Sequence, residues 1–134
     1  MSTVLVPVRY PPSDHSIRTL SRAIDIADER DAELIILHVN LYQNGKGVTR
    51  RELKRACESA VGRLPGARFN VVRGFLVEET ILEEIAAEEV DTVVIGHKQV
   101  GRWRQTFNRL IDDPDIAQFL ERRVDIDVVV VPPE

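Results

Sequence analysis

The chain has 134 residues, of which 43% are hydrophobic, and a formal net charge of −4. This length is typical of one domain, so we expect a single unit over residues 1–134 that buries a core without metals or disulfides. The one cysteine, Cys57, excludes an internal disulfide, and the acidic balance argues against a nucleic-acid partner. The sequence has no basic, apolar leader and no apolar run of about 20 residues, so it predicts a soluble cytoplasmic protein without a membrane partner.

Five short runs rich in β-branched residues are typical of strands. They are Thr3–Val8, Leu34–Val39, Phe69–Val72, Thr92–Ile95 and Ile126–Val131. The second, fourth and fifth runs are almost continuously apolar. Strands that are buried on both faces of a parallel sheet have this composition.

Apolar residues at helical spacing fill the segments between these runs. The first segment starts after Ser13, which fits as an N-cap. The second carries an apolar stripe from Leu53 to Leu64, and the third runs from Val77 to Ala86. We interpret the glutamates of the third segment as a solvent-exposed helix face rather than a metal site. A fourth, irregular region predicts short helices near 103–111 and 114–123.

The alternation of strands and helices favours a doubly wound α/β sheet, because parallel strands need right-handed crossovers. In such a sheet, ligands bind beyond the carboxyl ends of the strands, at the point where the strand order reverses. If the order is 3-2-1-4-5, residues 9–16 after strand 1 and residues 96–104 after strand 4 line that crevice.

Neither of these loops carries a catalytic motif. The sequence lacks a Walker-type phosphate loop, a GxGxxG fingerprint and a nucleophile elbow. His15, His38 and His97 have no sequence partners of a catalytic kind, and we interpret His38 as a packed or rim histidine. We therefore expect no enzyme, no catalytic residues and no metal.

Several stretches, in order along the whole chain, resemble the universal stress protein (UspA-like) family. They are Val4-Leu5-Val6-Pro7-Val8, Ser13-Asp14-His15-Ser16, Leu37-His38-Val39, Ile81-Leu82-Glu83-Glu84, Asp91 through Gly96, and Val128 through Val131. The resemblance implies a five-stranded parallel sheet in the order 3-2-1-4-5 with helices on both faces, an adenine-nucleotide alpha-hydrolase-like fold. It also implies a dimer and, for many members, ATP at the crevice.

The nucleotide motif of that family is altered here. Its ATP binders carry an Asp directly after strand 1, where this chain has Arg9, and Gly-x2-Gly-x9-Gly-Ser/Thr after strand 4. Gly96 matches the first glycine; the second position is Gln99, unless Gly101 replaces it. The final pair falls on Pro114-Asp115. Pro114 lacks an N–H donor, and the surrounding aspartates place negative charge where phosphates would bind.

Five cations near the crevice leave two interpretations open. They either neutralise the aspartates at 112, 113 and 115, or they form a remodelled anion pocket with His97 and Trp103. The cations are Lys98, Arg102, Arg104, Arg109 and Arg9. The candidate ligand-binding residues are Arg9, Val39, Gly96, His97, Lys98, Gly101, Arg102 and Arg104.

The fifth strand is expected at an edge of the sheet. Four consecutive valines, Val128, Val129, Val130 and Val131, would promote aggregation on an open edge. We expect this edge to pair with the same strand of a second copy about a two-fold axis near Val129, as dimers of the family do. A helix or a tail over the edge is the alternative.

Together these features predict a UspA-like homodimeric regulatory or binding protein that does not bind ATP in the family's usual way, with no cofactor expected. One alternative is a member that binds ATP, another nucleotide or a small anion in a changed pose through Arg9 and the basic loop after strand 4. The second alternative is a slow nucleotide hydrolase.

Overall fold

A computed structural model of the chain describes residues 2–97 and 126–132. The elements in order are β1 (Thr3–Pro7), α1 (Asp14–Arg30), β2 (Glu33–Leu41), a 3-10 turn (Tyr42–Asn44), α2 (Arg50–Val61), β3 (Arg68–Gly74), α3 (Val77–Ala87), β4 (Thr92–Gly96) and β5 (Asp127–Val131). The helices predicted near 103–111 and 114–123 lie outside the described residues. Within the described ranges, no helix has both the length and the apolar character needed to cross a membrane.

The five strands form one parallel sheet in the order β3-β2-β1-β4-β5. This confirms the predicted fold class and strand order. Leu5 of the central strand pairs with Ile35 on one side and with Val93 on the other. β2 and β3 follow one another on one side of β1, and β4 and β5 follow one another on the other side, so the strand order reverses between β1 and β4. The ligand crevice is therefore expected at the carboxyl ends of these two strands.

Two apolar cores cover opposite faces of the sheet. On one face, Val4 and Val6 pack in a cluster with Leu20 of α1 and Leu53 of α2. On the other face, Leu5 belongs to a cluster with residues of α3, namely Ile81, Leu82 and Ile85. Successive residues of β1 therefore point into different cores, as the pleat of a strand requires.

β1 and β4 end within one residue of their predicted ends, whereas β2, β3 and the second helix differ by more. β2 and β3 pair as far as Leu41↔Gly74, so both strands continue through polar residues that interrupt the apolar pattern. The stripe from Leu53 to Leu64 is not one helix. α2 ends at Val61, because Gly62 has a φ of 95°, which an α-helix excludes.

Side-chain caps fix the starts of the first two helices. The Ser13 hydroxyl accepts a hydrogen bond from the Ser16 amide at 3.1 Å, as predicted for an N-cap. Thr49 and Glu52 form a reciprocal capping box at α2. The hydrogen bond from the Thr49 backbone lowers the pKa of Glu52. The cap at Ser13 sets which residues of α1 face the crevice.

Asn40 fastens the loop between β2 and α2 to the sheet. Its buried side-chain amide donates to the Val48 carbonyl and accepts from the Val48 amide, both at 2.9 Å. Gly47 lies directly against this amide, and a Cβ there would overlap the Asn40 side chain. The hydrogen bonds of Asn40 therefore require a glycine at position 47.

We expect Asn40→Ala to lower the free energy of unfolding by about 2 kcal/mol, because it removes two hydrogen bonds and leaves the Val48 backbone groups without these partners. The matched control is Asn44→Ala, which changes an exposed residue of the same loop and should cost less than about 0.5 kcal/mol. Urea unfolding measures both values. Equal losses in the two variants would show that Asn40 does not hold the loop.

Candidate functional site

The carboxyl ends of β1 and β4 lie side by side where the strand order reverses, and the ligand crevice of this fold class is expected there. The Val8 amide still donates to the Leu37 carbonyl at 2.8 Å, so the chain leaves the sheet only after Val8. Arg9 and Tyr10 follow and are exposed. On the other side, Gly96 ends β4 and is buried.

His15, in the first turn of α1, fills the space beside Gly96. A Cβ at position 96 would overlap the Nε2 atom of His15, so the glycine allows the imidazole to lie against the end of β4. The His15 carbonyl accepts a hydrogen bond from the Thr19 hydroxyl at 2.9 Å. The ring thus lies at the reversal point of the sheet.

The hydrogen bonds of the His15 ring define its chemistry. Nδ1 lies 3.3 Å from Nη2 of Arg18, and because a guanidinium only donates, Nδ1 is the acceptor. A neutral ring then carries its proton on Nε2. In the described part of the chain, Nε2 is the only buried side-chain nitrogen or oxygen without a hydrogen-bond partner. Among the described residues, the His15 Nε2 is therefore a buried donor beside Gly96.

His38 connects the exit of β1 to β2. Its Nδ1 lies 2.8 Å from the Val8 carbonyl and donates to it, and its ring meets the edge of Tyr10 at 6.4 Å between centroids. This half-buried position agrees with its interpretation as a packed or rim histidine.

The structure places four of the predicted ligand-binding residues. Arg9 and His97 are exposed at the ends of β1 and β4, on either side of the reversal point, and buried Gly96 precedes His97. Val39 is half-buried in β2 and packs against the core on the α3 face. The other predicted ligand-binding residues, Lys98, Gly101, Arg102 and Arg104, lie outside the described residues, as do Trp103, Arg109 and the segment 112–115.

Cys57 and the glutamates of α3 are other reactive side chains in the described part of the chain. Burial raises the pKa of Cys57 to about 11, so its thiol is a poor nucleophile at neutral pH. The glutamates of α3 are not all solvent-exposed as expected, since Glu84 is half-buried, and burial followed by the nearby Glu88 raises its pKa. Over residues 2–97 and 126–132, no three His, Cys, Asp or Glu side chains are grouped as metal ligands.

β5 is an edge strand, as predicted, and pairs with β4. Its start is secured by the Arg30 guanidinium, which donates to the Thr92 hydroxyl at 2.8 Å and lies 3.1 Å from the Asp127 carboxylate. In the single chain, Val128 and Val130 of this strand are 41% and 40% exposed.

No protein-family model matches the sequence, and no curated protein matches it significantly. Solved structures match nearly the whole chain. A universal stress protein in complex with cAMP is 24% identical, with 97% of this chain and 96% of that chain covered and a TM-score of 0.54. The universal stress protein from Archaeoglobus fulgidus in complex with dAMP is 18% identical, with 97% of both chains covered and a TM-score of 0.58. A family member from Arabidopsis thaliana with AMP bound is 16% identical, with 100% of this chain and 93% of that chain covered and a TM-score of 0.58.

The chain therefore has the fold of the universal stress proteins, as its motifs suggest.

The contact between His15 and Gly96 predicts a coupled effect on stability. We expect Gly96→Ala to lower the free energy of unfolding by about 1–3 kcal/mol, because the new methyl group overlaps the imidazole. In a His15→Ala background the same change should cost less than about 1 kcal/mol, which a double-mutant cycle in urea measures. The control is Gly66→Ala, where a Cβ meets no atom within 4 Å. Additive losses at positions 15 and 96 would contradict the contact.

Proposed function

We propose that this chain is a homodimeric regulatory or binding protein of the universal stress protein type whose crevice does not accept ATP in the pose of nucleotide-binding members. The shared fold and strand order support the family assignment. The single observation that carries the statement about ATP is the position of the His15 ring against Gly96.

Gly96 corresponds, through the motif resemblance, to the first glycine of the nucleotide motif. A glycine at such a position lets a ligand approach the backbone closely. In this chain the His15 imidazole occupies that approach. A nucleotide in the usual pose would have to turn the ring away and break its hydrogen bond with Arg18, so the chain competes with the ligand for this space.

Arg9 supports the same proposal. Nucleotide-binding members carry an Asp where this chain has Arg9, and the loop brings the guanidinium to an exposed position after β1. A carboxylate can accept hydrogen bonds from a ribose or a base, whereas a guanidinium only donates. Contacts that depend on an acceptor at this position are therefore lost.

Two observations favour binding of a nucleotide or small anion in a changed pose as a second candidate function. The Nε2 proton of His15 is a buried donor without a partner in the described part of the chain, and Arg9 offers an exposed positive charge nearby in sequence. Solved structures of the same fold hold cAMP, dAMP and AMP. The slow nucleotide hydrolase remains a prediction that no described side chain specifically supports.

Isothermal titration with ATP, AMP and cAMP separates the two functions. The proposal predicts no saturable heat for the wild type at millimolar nucleotide, because the ring of His15 blocks the approach. Binding to the wild type that weakens roughly tenfold in Arg9→Ala or His15→Ala would establish the second function, since each change removes a donor. Arg22→Ala, an exposed change on α1, is the control.

The proposed homodimer forms through the outer edge of β5. That edge carries the exposed Val128 and Val130, and pairing with a second copy would cover them and satisfy the backbone groups of the edge. With a two-fold axis near Val129, the same surface of each protomer forms the interface.

Light scattering after gel filtration tests this dimer. We expect Val130→Lys to yield monomers, because it buries a charge in the interface, whereas Val128→Thr keeps a β-branched residue and should remain dimeric. Far-UV circular dichroism checks that the variants are folded. A folded Val130→Lys protein that stays dimeric would remove β5 as the interface.

A further inference from the structure

Large apolar side chains are exposed where β3 ends. Phe75 is 70% exposed, Leu76 47% and Tyr42 49%, and the exposed Arg73 lies beside them. We call these four residues the β3-end patch. Contiguous exposed apolar groups of this kind mark interaction surfaces in proteins, whereas isolated exposed leucines do not.

The β3-end patch is held in place by its own contacts. The rings of Tyr42 and Phe75 are 4.7 Å apart, and the Arg73 guanidinium lies 6.0 Å from the centre of the Tyr42 ring. The Gln43 amide donates to the Phe75 carbonyl at 3.0 Å. A surface that is ordered before binding loses less conformational entropy when a partner arrives.

This patch is separate from both surfaces considered above. β3 is the edge strand opposite β5, and two strands from it lies β1, which borders the crevice. A ligand in the crevice and a dimer through β5 therefore leave the β3-end patch uncovered.

Residues 42–76 form a basic segment with eight Lys or Arg and two Glu, and residues 77–91 form an acidic segment with seven acids and no Lys or Arg. Of the basic segment, Arg73 belongs to the patch and donates to the Gly45 carbonyl at 3.5 Å, so that Lys46 follows next to it in the chain. Phe69 and Val71 pack into the core beneath α1 and α2, so Arg73, two residues further along the strand, lies on that face.

The acidic segment begins on the opposite face of the sheet. α3 packs against the second core, and its first turn contains Glu78 and Glu79. Gly74 brings this turn close to the end of β3, because a Cβ at position 74 would overlap the Thr80 hydroxyl. The apolar Phe75 and Leu76 thus lie between a basic and an acidic side.

We propose that the β3-end patch binds the same patch of a second copy about a two-fold axis. In such an isologous contact, each residue pair occurs twice. Arg73 and Lys46 of one protomer then face Glu78 and Glu79 of its partner, and the reverse holds across the axis, with Phe75 and Leu76 at the centre. A partner of a single charge would meet like charge on one side, whereas a second copy satisfies both.

The chemistry of the β3-end patch sets the strength of the contact. Aromatic and arginine side chains dominate the binding energy at interfaces, but four residues form only a small surface. The affinity of the contact is therefore low, and it decreases as the ionic strength rises. If β5 also dimerises, the second contact links dimers into larger assemblies, and it does not depend on the β5 interface or on the crevice.

A charge-swap experiment tests the proposal in full-length protein. One variant combines Arg73→Glu with Lys46→Glu, and the other combines Glu78→Lys with Glu79→Lys. In each variant the four charged positions of the contact have the same sign, so two copies repel each other. We therefore expect self-association through this patch to weaken roughly tenfold or more, and a 1:1 mixture of the two variants to recover it. Sedimentation velocity at low salt, over a range of concentrations, gives the masses.

Two controls make the result specific to this patch. Phe75→Ser in both charge variants should abolish the recovery, because it removes the apolar centre. Separately, Phe75→Cys should form an intermolecular disulfide under mild oxidation faster than Ser59→Cys, an exposed position on α2. Cys57 is buried and can be retained in both.

The proposal fails if the mixture does not associate, as expected for a patch made for a different, acidic protein. It also fails if the mixture associates equally well with Phe75→Ser, or if the Phe75→Cys and Ser59→Cys variants cross-link at the same rate. Recovery that requires Phe75, with faster cross-linking at position 75, establishes the contact.

Discussion

The approach of the His15 imidazole to Gly96 joins α1 to β4 at the point where the sheet reverses its order. It depends on two features of the sequence: a glycine at the end of β4, and a Ser13 cap that fixes the start of α1. In the proposed function the ring takes space that a ligand would need, and its buried Nε2 is a polar group that such a ligand would meet. One contact therefore affects both the packing and the chemistry at this end of β1 and β4.

The sheet also separates the charges of the chain. Since α2 and α3 cover opposite faces, the basic segment that contains α2 and the acidic segment that contains α3 lie on opposite sides of the sheet. They meet at the start of β3, where Arg68 lies 3.2 Å from Glu88, and again near its end. At the other edge, β5 presents valines. The two proposed contacts would thus be stabilised by different interactions. The β5 dimer would bury apolar side chains at a strand edge, whereas the β3-end contact would pair opposite charges around its apolar centre.

The fold could be predicted because strands buried on both faces leave apolar runs, and the cap of α1 because Ser13 has a hydroxyl at the right position. The full lengths of β2 and β3 could not, since Asn40 and Arg73 interrupt the pattern while their backbones continue the ladder. The contact of Tyr42 with Phe75 follows from the Leu41↔Gly74 register, which no local pattern reveals. Spacing placed His15 near the crevice, but the direction of its ring depends on packing against Gly96.

Nuclear magnetic resonance of the His15 ring, recorded with and without millimolar AMP, shows whether the ring keeps its position against Gly96 when a nucleotide is present. We expect nuclear Overhauser contacts between ring protons of His15 and the α-protons of Gly96, unchanged by the nucleotide. Loss of these contacts together with a saturable shift of the Gly96 amide would show that the ring yields to the ligand, and His15 would then not exclude nucleotides.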